Sequence, residues 1–289
     1  MNDSKTIIIG GDSSIATDML YEMKISGHTC VATSRRQHSD HIYCDLAQPD
    51  TWSEVLKIVH TQGIECAIFL AAISSVEGCV KQSSTARLVN YKNTIRLIKQ
   101  LDSMGVFTVF LSTNHVFSDR APMVSWSSKL EPRSYYGELK AQVEAGVQGL
   151  DVAIVRPTKI ITRDFHVFED AISAIRSGHT FNAFSDHNMA PVSSRFLYAY
   201  VNEIVNEKQA GIYQLSGSQD VSYLCVIKLL LKKLNLPTTL LRESFAAIKN
   251  VKADKFSSLL PHSPITHKAT VQPIECVLDD YLLMTNFHR

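Results

Sequence analysis

The sequence predicts an α/β protein built on a doubly wound parallel sheet. Three observations lead there. Short β-branched or apolar runs alternate with longer amphipathic stretches through the first 157 residues. One run, "CAIFLAA" (66–72), is apolar throughout, as a strand covered on both faces must be. The first run ends in Gly10-Gly11, and small residues then open a helical pattern.

In chain order, the spacing predicts a strand over 6–10 and a helix over 14–26. Ile15, Met19 and Met23 recur in that helix at four-residue steps, and Gly27 stops it. Strands follow over 30–34 and 42–44, then a turn and helix over 45–63 and the apolar strand over 66–72. A long helix is expected over 82–104, and strands over 107–112 and 151–157 enclose a helix over 134–148. After Pro157 the rhythm loosens: 168–178 and 221–235 read as helices and 211–217 as a strand. The expected division is a sheet domain over 1–157 and a smaller substrate lobe over 158–289, with about 190–216 packing back on the sheet.

The 289 residues are 45% hydrophobic, enough for a sizeable core. A net charge of +1 gives no support to nucleic-acid binding. No apolar run approaches the ~20 residues that a bilayer span needs. The start reads as a first strand rather than a secretory leader. Six scattered cysteines without a C-x-x-C fit reduced, mostly buried thiols and a cytoplasmic location. No H-E-x-x-H occurs among the eleven histidines. His38 and His41 read as a solvated loop, so no metal is expected.

The first loop, Gly10-Gly11-Asp12-Ser13-Ser14-Ile15-Ala16, places small residues three apart at Gly10, Ser13 and Ala16. Such a loop lets backbone approach a pyrophosphate at a helix N-terminus, where N–H groups and the helix dipole attract anions. A strand–helix turn capped by Ser13 would look the same. The second strand ends in Ser34-Arg35-Arg36 with no acid, and an Arg pair suits a ribose 2′-phosphate. Asp45, beside Leu46, could accept from an adenine amine, and Ala71-Ala72 are small enough to lie against a cofactor. These features predict a Rossmann-like domain that binds NADP(H), with NAD(H) as the alternative.

"FLSTNHVF" (110–117) ends the fifth strand with Ser112 and Thr113 at the ligand-binding edge. The next helix carries Tyr136 and Lys140, which share a face. The ammonium is expected to lower the phenol's pKa toward the working range, and Thr113 to hydrogen-bond the same substrate oxygen.

The stretches "IIIGGDSSIA", "LAAISSVEGCVKQ", "VNYKNT", "FLSTNHVFSD", "EPRSYYGELKAQVE", "VRPTKI" and "GIYQLSG" resemble an extended short-chain dehydrogenase/reductase of the dTDP-4-dehydrorhamnose reductase group. The resemblance implies Thr113, Tyr136 and Lys140 as the catalytic set. It implies that Asn90 helps order the cofactor site and that the C-terminal lobe holds a sugar nucleotide. It also implies NAD(P)H-dependent reduction of a 4-keto deoxysugar nucleotide, and a homodimer, since relatives often dimerise. Substrate contacts are expected from Ser74, Asn114, His115 and Arg195, with Arg156 and Arg242 as further cations for the diphosphate.

The family's usual S-T-D-Y-V-F is here Ser112-Thr113-Asn114-His115-Val116-Phe117. Without a carboxylate at 114 or 115, a 4,6-dehydration, which needs a separate acid and base, is not expected. An NAD-retaining epimerase and a non-catalytic NADP-binding regulatory subunit stay open as alternatives.

Overall fold

The computed structural model describes residues 5–37, 40–249, 251–265 and 270–285. The first six strands are β1 (Thr6–Ile9), β2 (Cys30–Ser34), β3 (Ile42–Tyr43), β4 (Cys66–Phe69), β5 (Phe107–Leu111) and β6 (Val152–Pro157). With Gly211–Gly217 and Val271–Gln272 they form one parallel sheet. From one edge to the other the order is 271–272, 211–217, β6, β5, β4, β1, β2, β3. The strand order reverses beside β1, so β1 and β4 open a crevice at their carboxyl ends, where ligands of such sheets bind. The doubly wound expectation is borne out.

Strand alternation distributes the core. Ile8 points to one face and Ile7 and Ile9 to the other, and all three are fully buried. One face is covered by α1 (Ser14–Ile25), through Met19 and Met23, and by the later helix Ser194–Glu207, through Leu197, Val201 and Ile204. The other carries α2 (Trp52–Gln62) through Trp52 and Val55, and two helices described below. Each such aliphatic side chain contributes about 1.5–3 kcal/mol on burial. A separate apolar cluster joins helices His166–Arg176, Tyr223–Lys233 and Ile274–Thr285 and is the core of the C-terminal lobe.

The helix expected over 82–104 is broken. Helix α3 (Val76–Lys81) precedes it, and α4 (Ser83–Arg87) passes through a wide π-turn, Leu88–Asn93, before α5 (Thr94–Ser103). Just past that turn, Thr94 Oγ1 donates to the Val89 carbonyl at 2.8 Å. Helix Ile274–Thr285 is unforeseen; its apolar stripe sits in a stretch read as tail. His38 lies outside the described residues. His41 is half-buried rather than solvated, because Gly11 has no side chain to hold its ring off. No described helix is long and apolar enough to cross a membrane.

Candidate active site

Gly10 ends β1 with φ 98°, and a Cβ there would lie 2.7 Å from the Ala71 backbone. This close approach, together with the left-handed backbone, requires glycine. Ser13 caps α1: its Oγ accepts from the Ala16 N–H at 3.1 Å. Ala16 is fully buried beneath the helix. Ser14 Oγ donates to Asp164 at 2.6 Å, which ties the first turn of α1 to the segment after β6. Ile15 packs against the core below.

At the end of β2, Ser34 Oγ donates to the Asp12 carboxylate at 2.6 Å, and Arg36 Nε lies 3.9 Å from the same group. The edge read as free of acid therefore carries one, supplied by the first loop rather than by β2. Arg35 and Arg36 are exposed beside it. Asp45 holds its own turn, accepting from Ala47 N and Gln48 Nε2 at 2.8 and 2.9 Å. Leu46 is buried, with its carbonyl bonded by Asn93 at 2.6 Å. Ala71 and Ala72 are half-buried at the end of β4. Asn90, in the π-turn, clamps the loop after β4: its side chain accepts from Ile73 N at 2.8 Å and donates to Ile73 O at 2.9 Å. It acts through that loop.

Helix α6 (Tyr135–Gly146) starts where Ser134 Oγ accepts from the Gly137 N–H at 3.1 Å, so Tyr136 and Lys140 sit in its first turns. Lys140 is buried, and its Nζ donates to the Leu111 carbonyl at the end of β5 at 2.6 Å. The ammonium lies 4.5 Å from the Phe110 ring centroid and 6.0 Å from that of Tyr136. The Tyr136 hydroxyl makes no hydrogen bond to any described residue. Thr113 is buried, and its Oγ1 caps a short turn by accepting from His115 N at 3.2 Å.

The expected effect of Lys140 on the phenol is not what the structure gives. Burial, and secondarily the neighbouring Cys79 thiol, push the Tyr136 pKa well above its usual value. Desolvating a phenolate outweighs an ammonium across the ring. Burial lowers the Lys140 pKa to about 8, with Glu144 opposing.

Beyond this set opens a cavity of about 710 Å³ between the sheet edge and the C-terminal lobe. Ser74, Asn114 and His115, the expected substrate contacts, line it. Asn114 also tethers the lobe, donating to Ser257 Oγ at 3.0 Å. The arginines behave otherwise. Arg195 is turned to Glu22 and Asp280, at 3.4 and 3.6 Å, because its helix packs on α1, away from the cavity. Arg156 is buried against Glu144 at 2.6 Å, and Arg242 bonds Thr239 O at 2.6 Å on the exposed strand Leu241–Ser244. None of the three lines the cavity.

Other groups do: Arg133, Lys159, His187 and Asp254. Lys159 lies two residues past the end of β6, and the rule that ligands meet the carboxyl ends of strands could have found it. His187 and Asp254 lie in irregular chain with no periodic signal. Arg133 pairs with Asp119 and with Asp254, the latter at 3.6 Å. Lys159 makes no ion pair with a described carboxylate.

A comparison of the sequence with curated proteins finds no match. Solved structures of the same fold are numerous. The dTDP-4-dehydrorhamnose reductase of Clostridium acetobutylicum superimposes with a TM-score of 0.82 at 19% identity, covering 98% of this chain and 99% of that one. The reductase of the same name from Bacillus anthracis, in complex with NADP, gives 0.86 at 17% identity, over 98% and 99%. A dTDP-glucose 4,6-dehydratase from Streptomyces venezuelae, with NAD bound, gives 0.72 at 16%, over 99% and 97%. The model of the family described as RmlD substrate binding domain matches residues 4–273, nearly the whole chain, so this protein belongs to that family.

Proposed function

We propose that the protein is an NADPH-dependent oxidoreductase that reduces the keto group of a 4-keto deoxysugar nucleotide. One observation carries this reading: a Tyr136 hydroxyl without a hydrogen-bond partner among the described residues stands one helical turn from an ammonium fixed to the end of β5, beside a 710 Å³ cavity at the sheet's ligand edge.

The chain's residues fit a dinucleotide. Gly10 and Ala71 leave only backbone and a methyl where a cofactor would cross the sheet, and the N-terminus of α1 faces that crossing. Arg35 and Arg36 suit the extra phosphate of NADP, the cofactor in the Bacillus anthracis reductase. Asp12 beside them suits the ribose hydroxyl of NAD, which remains the alternative. When bound, the nicotinamide supplies hydride.

Tyr136 keeps its proton through the neutral range, so it donates to the substrate oxygen as negative charge develops there. Lys140 holds positive charge beneath it below about pH 8, and Thr113, which caps the turn after β5, hydrogen-bonds the same substrate oxygen. Lys159 offers a charge to the diphosphate. The test is NADPH oxidation on a panel of nucleotide 4-keto sugars, dTDP-4-dehydrorhamnose among them. Oxidation abolished by Tyr136→Phe is expected. Tight NADPH binding without turnover on any member would leave a regulatory subunit instead, and sugar interconversion with bound NAD would leave an epimerase.

A further inference from the structure

Reduction as just described uses neither of the imidazoles on the cavity wall. His115 follows Thr113 by two residues, and its ring stands edge-on to Tyr136, centroids 6.3 Å apart at 73°. Its backbone is held there by Gly137: a Cβ at that position would collide with the His115 carbonyl, so only glycine lets the turn lie against α6. Neither ring nitrogen of His115 bonds a described residue, and the ring faces the cavity. His187 lines the same cavity, packed edge-on to Tyr223 at 5.0 Å, with Nε2 3.7 Å from Asp254.

From this placement, and resting on the reductase reading, we propose that His115 is a second acid–base group of the site, one that exchanges the proton on the carbon next to the substrate's keto carbon. The C–H bond breaks, and its electron pair forms the C=C bond of an enolate. The carbonyl π pair moves onto oxygen, where the Tyr136 hydroxyl hydrogen-bonds it. The proton goes to the open nitrogen of His115. Return of a proton to the same carbon rebuilds the ketone, so no oxidant or reductant is consumed. A keto group makes the neighbouring C–H acidic, and the donor that stabilises charge on that oxygen during reduction stabilises it equally in the enolate.

Three surrounding features suit a base. Burial, with Lys159 and Arg133 adding to it, keeps the His115 pKa below the usual imidazole value, so the ring is neutral near pH 7; Asp254 opposes this. The cations that disfavour imidazolium also favour an enolate nearby. His187 is held neutral by burial as well, with its Nε2 3.7 Å from Asp254.

The experiment incubates the full-length protein with NADPH and dTDP-4-dehydrorhamnose in D2O. It follows nicotinamide absorbance and, by NMR, deuterium at the two carbons flanking the keto or newly reduced carbon. Deuterium should enter one of them faster than in a protein-free control. In His115→Asn and His115→Ala, exchange should fall relative to reduction by about 100-fold, the lower range for loss of a general base. NADPH oxidation without deuterium above the control overturns the proposal and leaves the reductase reading intact. An unchanged exchange-to-reduction ratio in both variants also overturns it. Absence of both signals removes the reductase reading and this proposal together.

Discussion

The two walls of the cavity are built by different means. On the sheet side, Asn114 and His115 line the cavity, and Thr113, Tyr136 and Lys140 beside them are fixed by strand ends, a capped helix and a buried ion pair one turn further along α6. On the lobe side, His187, Asp254 and Ser257 come from irregular chain and are held by polar contacts between loops, such as His187 to Asp254, Arg133 to Asp254 and Asn114 to Ser257. The first wall can keep atoms in place to the tolerance that proton transfer demands, and the second can vary its side chains without disturbing the sheet. Chemistry should therefore be lost by changes on the sheet side, and substrate preference altered by changes on the lobe side.

The largest effect is expected at Lys140. Lys140→Met should lower NADPH oxidation by about 10²–10⁴-fold while NADPH still binds. The sign with pH follows from its depressed pKa: the ammonium is complete below about pH 8 and is lost as pH rises through it. The parent's kcat should fall above that point, and a flat profile to pH 10 would detach Lys140 from the chemistry.

Next comes the frame behind it. Glu144 accepts from Ser112 Oγ at 2.5 Å and from Arg156 Nη2 at 2.6 Å, all buried. Arg156→Met leaves a buried carboxylate unpaired and should destabilise the fold by about 3–5 kcal/mol. Thermal unfolding measures it. The double change Glu144→Leu/Arg156→Met should recover most of the loss, since no charge is then stranded.

Asp12 gives a smaller effect at the cofactor edge. Its carboxylate lies where a 2′-phosphate would approach Ser34 and Arg36. Asp12→Asn removes one like charge and should shift the NADPH-over-NADH affinity ratio upward by about tenfold, or ~1.4 kcal/mol. Fluorescence titration with each cofactor decides it, and an unchanged ratio would place the phosphate elsewhere.

The same contrast explains what was legible in the amino-acid sequence. Strands such as Cys66–Phe69 are apolar on both faces, and helix α6 announces itself by its spacing, so the sheet wall could be read directly. The loop positions Gly10 and Ala71 were legible because close approach demands small residues. The Arg positions failed: Arg195, Arg156 and Arg242 all suit a diphosphate chemically, yet each found a nearer partner, and a linear sequence does not show distance. Asp164 was missed in the same way, as was the pairing of Asp12, a loop residue expected at the cofactor, with Ser34. Each reaches its partner, Ser34 or Ser14, across the fold rather than along the chain.

The smallest effect tests the lobe wall alone. Asn114 Nδ2 reaches both Ser257 Oγ and the Ser257 carbonyl, at 3.0 and 3.2 Å. Ser257→Ala removes the first bond and keeps the second, so the lobe should loosen over the substrate without leaving. A net hydrogen bond is worth about 1 kcal/mol, which predicts a rise in KM of about fivefold. The kcat should hold, because Tyr136 and Lys140 take their positions from α6 and β5 and not from this tether. A fall in kcat with KM unchanged would mean that the lobe positions the reacting groups after all, and the division between the two walls would fail.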